Sequence, residues 1–264
     1  MSSASAPISR ERRLVESMLD RMAVRRDGVL LVHSSFRQFG LDGYDAGAMV
    51  EALAAAMKGG TLLLPTMSWR FANSKHPFFD ELETPSNAGV MTEIFRTRHA
   101  SHRSLHPSHS LAGVGVRAGE MLASHHLDDT PCSARSPFGM LAGNEAAVAL
   151  MGIGMDCCTL IHHVEEAVAI DRYLKPPAEA VVYACRDRGG RAHTVRVRHH
   201  KFLPRDYWQF QDMLAERRLL ATFRAGNSAC VGFRAADMVR VVRETLQARP
   251  DAIIAADGQR YRLM

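Results

Sequence analysis

The sequence predicts an α/β protein. Two stretches carry that expectation: "GVLLVHSS" (28–35) and "GGTLLLPTMSW" (59–69) are short unbroken apolar runs ending in hydroxyls, with a helical stretch near 45–57 between them. Apolar runs without alternation mark strands buried on both faces, and strand, helix, strand in succession reads as a βαβ unit. A third observation sets the scale: 264 residues, 47% of them hydrophobic, can bury a sizeable core as one α/β domain or as two tightly fused lobes.

The elements follow in order. Residues 9–23 read as an amphipathic helix. The first buried strand delivers His33, Ser34 and Ser35 to its C-terminal end, and the second delivers Thr66 and Ser68. Open α/β sheets bind ligands at these carboxyl ends, so the hydroxyls are site candidates; the alternative is that they cap the next elements. Residues 69–86, with "NSKHPFFDELETPSN", lack periodicity, and a loop so long in a compact domain suits a substrate loop. "AGVMTEIFRTRH" then reads as a helix, "SLAGVG" as a short strand, and "AAVALMGIG" as another buried strand that hands over to Asp156. A helix is expected over 159–170, with Thr159 as its cap. A strand pair turns at Gly189-Gly190 with Arg196 and Arg198 on its solvent face, and helices near 206–218 and 235–247 complete the chain.

Composition narrows the function classes. No apolar run of about 18 residues occurs, and the first residues carry no leader pattern, so a soluble, cytoplasmic protein without a membrane partner is expected. The five cysteines form no C-x-x-C pair, which points to reduced thiols rather than a disulfide scaffold or a zinc ribbon. The net charge is +5, but the basic residues are scattered and no recognition motif accompanies them, so nucleic acid is not an expected partner. The glycine pairs at 59–60 and 189–190 match neither the dinucleotide nor the P-loop fingerprint.

The densest chemistry lies in "DCCTLIHHVEE" (156–166), which admits three readings: a metal site, a catalytic histidine with a carboxylate partner, or a polar helix start. Adjacent doublets such as His162-His163 point about 100° apart on a helix, so they are poor joint ligands, and no metal is expected. His162 can instead meet Glu165 at i+3 or Glu166 at i+4. A second cluster, "RSLHPSHSLAGVG" (103–115), holds His106 and His109 beside Ser108 and Ser110, where Pro107 favours a structural role. Cys157 and Cys158, at the end of an apolar strand, read as small buried hydrophobes.

Taken in order, "LVHSSFRQFG", "GGTLLLPTMSW", "HPFFDELETPSNAGVMTEIFRT", "RSLHPSHSLAGVG", "SPFGML", "ALMGIGMDCCTLIHHVEE" and "VGFRAADMV" resemble the aminoglycoside 3-N-acetyltransferase family over residues 28–250. The resemblance implies a single α/β domain over 1–264, with 1–8 a flexible tail and a central mixed sheet flanked by helices. This is an antibiotic N-acetyltransferase-like fold, not the common acetyltransferase fold with its pyrophosphate loop. It also implies acetyl-CoA as co-substrate, no metal, a small-molecule amine as acceptor, and allows a homodimer.

The family's T-x-x-H-x-x-E signature stands here as Thr159, His162 and Glu165, which makes His162 the general base and Glu165 its orienting partner. By the same comparison His33, Ser34, Ser35, Thr66, Ser68 and Ser110 contact the cofactor, and Asp80, Glu93 and Asp206 supply acidic groups for the substrate. The acceptor stays open. A polycationic aminoglycoside calls for a carboxylate-rich pocket, whereas the chain has a pI of about 9.1, and another natural amine fits the resemblance equally.

Overall fold

The two apolar runs form the centre of a seven-stranded mixed sheet. The structure, a computed structural model, describes residues 8–256 together with the backbone of 262–263. Of the flexible tail expected at residues 1–8, Ile8 alone falls within this range. The first half of the chain contains α1 (Arg10–Arg21), β1 (Val29–Ser34), α2 (Arg37–Leu41), α3 (Ala46–Ala56), β2 (Thr61–Pro65), β3 (Phe78–Asp80), α4 (Val90–Arg98), β4 (His102–Arg103), β5 (Leu111–Gly115) and α5 (Ala118–Ala123). The second half contains α6 (Pro137–Met140), β6 (Ala147–Met151), α7 (Leu160–Tyr173), β7 (Val181–Arg186), β8 (Ala192–Val197), β9 (Pro204–Arg205), α8 (Trp208–Glu216), β10 (Ala221–Ala225), β11 (Ser228–Arg234), α9 (Ala235–Ala248) and β12 (Arg262–Leu263).

The large sheet runs β10-β11-β6-β1-β2-β5-β4. β1 is parallel to both β2 and β6, with His33 opposite Leu150 and Ser34 opposite Met151, while β11 and β5 flank this unit antiparallel. Alternate residues of the same strands feed opposite faces. Leu31, Leu63, Val148 and Leu150 pack under α5 to α9, whereas Leu30, Val32, Leu62 and Leu64 pack under α1, α3 and α4. Burial on both sides is why these strands read as continuous apolar runs.

Three findings depart from the expectations. The long loop at 69–86 is partly ordered into β3, which pairs in parallel with β7 in a second, three-stranded sheet with β8. The β10–β11 hairpin at 221–234 was not anticipated. Arg198 is buried rather than on a solvent face: its Nε donates to the Lys175 carbonyl and its Nη2 lies 3.5 Å from Asp171. It follows Val197 out of the strand, where alternation with the exposed Arg196 no longer applies.

Candidate active site

A cleft of about 1150 Å³ opens at the carboxyl ends of β1 and β6, floored by the start of α7. Two local features shape it. Gly152 leaves β6 at a positive φ of 67°, and a Cβ there would lie 2.7 Å from the Ser35 carbonyl oxygen, so only glycine lets the two strand ends approach. The Ser35 N–H in turn donates to the Met151 carbonyl at 2.9 Å and binds the β1 end to the β6 end. His33, Ser34 and Ser35 line the cleft from β1, and His162 lines it from α7.

His162 and Glu165 are brought together as the i, i+3 spacing requires, with Nδ1 and Oε2 2.7 Å apart. A carboxylate only accepts, so this contact keeps the proton on Nδ1 and leaves the lone pair on Nε2. Glu165 is fully buried, and its other oxygen accepts from Arg205 Nε at 3.0 Å and from the Tyr207 hydroxyl at 2.9 Å. Burial opposes ionisation of Glu165, but His162 and Arg205 outweigh it and hold the carboxyl below its ordinary range. Glu166, one residue on, accepts from the Cys132 N–H at 2.9 Å, but burial outweighs this and pushes it up to about 8. His200 stacks on the His162 ring, centroids 4.0 Å apart, and His109 meets both rings edge-on.

Arg205, Tyr207 and His200 were not anticipated. Arg205 and Tyr207 reach Glu165 from 40 and 42 positions away, which no local pattern reveals. The one available signal for His200 was the His199-His200 doublet, absorbed into a run read as basic surface.

The remaining expected residues divide by the facing of their side chains. Pro65, Met67 and Trp69 line the cleft, so Thr66 and Ser68, alternating with them, face away. Ser110, which follows the cleft-lining Ser108 and His109, is turned away as well, donating to the Thr66 carbonyl at 2.8 Å. Thr66 and Ser110 sit 3.1 Å apart on the Arg103 guanidinium, and Ser68 donates to the Pro107 carbonyl at 2.8 Å. His106 is buried with Nδ1 accepting from the His109 N–H, the structural role expected of that cluster.

The three acids are likewise occupied outside the cleft lining. Asp80 caps Leu82 and Glu83 and pairs with Arg186, Glu93 holds Arg96 and the Ser86 N–H, and Asp206 accepts from the Gln209 N–H. Among the described residues, Asp156 is the one carboxylate lining the cleft. Two readings of the α7 approach hold in part. Thr159 holds the N-cap position expected of it, but with helical backbone angles and no side-chain cap bond, and it lines the cleft. Cys158 is buried as expected, with its thiol pushed up to about 12 by burial, but Cys157 lines the cleft.

A family model described as aminoglycoside 3-N-acetyltransferase matches residues 31–247. The chain is 24% identical over 199 residues to the SPbeta prophage-derived aminoglycoside N(3')-acetyltransferase-like protein YokD of Bacillus subtilis (strain 168), covering 67% of this chain and 73% of that protein. It is 35% identical over 160 residues to aminoglycoside N(3)-acetyltransferase IV of Salmonella sp, covering 59% of this chain and 58% of that protein. Among solved structures, AAC-IIIb in binary complex with CoASH has the same fold, with a TM-score of 0.75 at 20% identity over 90% of this chain and 96% of that one.

Proposed function

The chain belongs to the aminoglycoside 3-N-acetyltransferase family, whose model spans residues 31–247, and we propose that it transfers the acetyl group of acetyl-CoA to an amine bound beside His162. The observation that carries this reading is the His162–Glu165 dyad, 2.7 Å across, with its unprotonated nitrogen left for the cleft. An amine is largely protonated at neutral pH and cannot attack a thioester until it loses a proton. The ammonium gives its first proton to solvent, and His162 Nε2 takes a second from the neutral nitrogen as that nitrogen bonds to the thioester carbonyl carbon. The C–S bond then breaks, and the departing thiolate takes up a proton from the imidazolium. Glu165, kept ionised by Arg205, stabilises the imidazolium in between.

The rest of the cleft supports the same chemistry. Ser34, at the end of β1, is the hydroxyl we assign to the developing oxyanion, a contribution worth about 3 kcal/mol. Ser35 and Arg37 offer a hydroxyl and a cation to the CoA half. The volume exceeds the roughly 300–1,000 Å³ of a site for one small ligand, which leaves room for two reactants. AAC-IIIb, of the same fold, is bound to CoASH. The test is to incubate purified protein with acetyl-CoA and a panel of amines while following free thiol. Amine-dependent thiol release is expected; no release with any amine and no CoA binding would overturn the reading.

The acceptor has two readings. Kinship with aminoglycoside N(3)-acetyltransferase IV supports an aminoglycoside. The scarcity of carboxylates favours a second reading, an amine with fewer positive charges, because Asp156 is the one carboxylate among the described residues lining the cleft. Comparing kcat/KM for polycationic and monocationic amines in the same assay separates the two.

A further inference from the structure

We propose that Cys132, Glu166 and His200 form a binding site for a thiophilic divalent cation of the zinc class, set behind the cleft wall. The sulfur, a carboxylate oxygen and a ring nitrogen of these residues all lie within 4.8 Å of one another. They come from three separate segments: the loop before α6, the middle of α7 and the strand exit after β8. Of the three, Glu166 alone falls within 156–166, so local spacing in that stretch does not reveal the set. The Cys132 and Glu166 side chains are almost wholly inaccessible, and that of His200 is 8% exposed.

Unmet bonding capacity points to a ligand. The Glu166 carboxylate accepts from the Cys132 N–H through Oε1 at 2.9 Å and has the Thr130 hydroxyl beside it, but Oε2 and His200 Nε2 remain without a well-aligned hydrogen bond, Nε2 lying 3.0 Å from Oε1. Buried polar atoms are ordinarily paired, so two orphans converging on a thiol need an explanation. A thiolate, an imidazole and a carboxylate make a donor set suited to zinc, with a fourth position left for water. Binding balances in charge: the thiol and the carboxylic acid each lose a proton to solvent, S–metal and O–metal bonds replace S–H and O–H, and the occupied site is neutral.

A rival site, His162, Glu165 and His200, shares one ligand. It is the poorer one, because Glu165 already accepts from His162, Arg205 and Tyr207, and an ion there would displace a buried guanidinium. Arg198 bears on Glu166, but it is shared with Asp171 at 3.5 Å. The route in is the cleft itself, which His200 lines. Because His200 stacks on His162, an ion that fixes His200 restrains the ring beside the proposed base, and inhibition by zinc is the expected consequence.

The full chain, stripped with a chelator, is titrated with Cd2+ while the near-ultraviolet thiolate-to-cadmium band is followed, and Zn2+ is then added as competitor. One equivalent is expected to bind, with the band lost in Cys132→Ser and retained in Cys157→Ser and His162→Ala. Glu166→Gln should weaken binding at least about tenfold, since losing even an outer partner of a ligand costs that much. Circular dichroism checks the fold of each variant, and Glu166→Gln decides if Cys132→Ser does not fold. No stoichiometric band in the wild type overturns the proposal, as does a band that disappears with Cys157→Ser or with His162→Ala.

Discussion

At the end of β1, Ser34 and Ser35 open onto the cleft, whereas one strand over, at the end of β2, Thr66 and Ser68 are fully buried. The two ends are chemically alike, parallel and adjacent in the sheet. What separates them is Arg103. Its guanidinium lies 4.8 Å from the Phe79 ring centre and donates to the carbonyls of Thr66, Glu81 and Thr84 as well as to the Thr66 and Ser110 hydroxyls. A buried guanidinium needs acceptors on every side, and the β2 end supplies them. Ser68 is held instead by the Pro107 carbonyl, so hydroxyls at a strand end belong to the cleft only when no buried polar group competes for them.

The largest effect should come at the open end. His162→Ala is expected to lower kcat by about 10²–10⁴-fold while CoA affinity and thermal stability stay near wild type, as steady-state kinetics, CoA titration and a melting curve would report. A large loss of CoA binding or of stability would make His162 structural and erase the contrast. Next is Arg103→Met at the closed end, which removes the donor that three interior carbonyls and two hydroxyls share and leaves the Glu81 and Thr84 carbonyls without it. It should cost about 3 kcal/mol or more of stability in a urea titration. Full stability in that variant would mean that the seal lies elsewhere.

How much of this was legible depended on how local each feature is. The dyad could be read because His162 and Glu165 are three residues apart on one helix, so spacing alone makes them neighbours. The sheet centre could be read because strands buried on both faces leave unbroken apolar runs. Facing was harder: the alternation that turns Thr66 and Ser68 away from the cleft hinges on where β2 ends relative to Pro65 and Met67, one residue either way. Arg205 and Tyr207 could not be read, because their bonds to Glu165 are wholly tertiary. The β10–β11 hairpin had a weak signal in the Gly226-Asn227 turn, where Gly226 takes a φ of 58°, but β10 is short and half exposed.

A paired substitution sharpens the comparison. Ser34→Ala should lower kcat by about 10²-fold with little change in stability if its hydroxyl serves the oxyanion. Thr66→Val removes a hydroxyl of the same kind from the closed end and should instead cost about 1–2 kcal/mol of stability with kcat nearly unchanged. Equal effects of the two variants on kcat would break the distinction between the ends.

The smallest expected effect is at His33, beside Ser34 at the open end, because at neutral pH it vanishes. Burial pushes His33 from 6.5 down to about 4, and its Nε2 has no partner among the described residues to offset that cost. The unfolded chain therefore takes up the proton first, so this residue costs no stability above about pH 6.5 and destabilises progressively as the pH falls toward 4. His125 is shifted alike by burial, but its Nδ1 and Nε2 contact Ser104 and the Pro131 carbonyl, so replacing it would also remove bonds. His33→Gln keeps a polar side chain and removes the titration. Its melting temperature should match wild type at pH 7 and exceed it at pH 5. Parallel melting curves for the two proteins across that range would show that the acid sensitivity of the open end comes from another of its histidines.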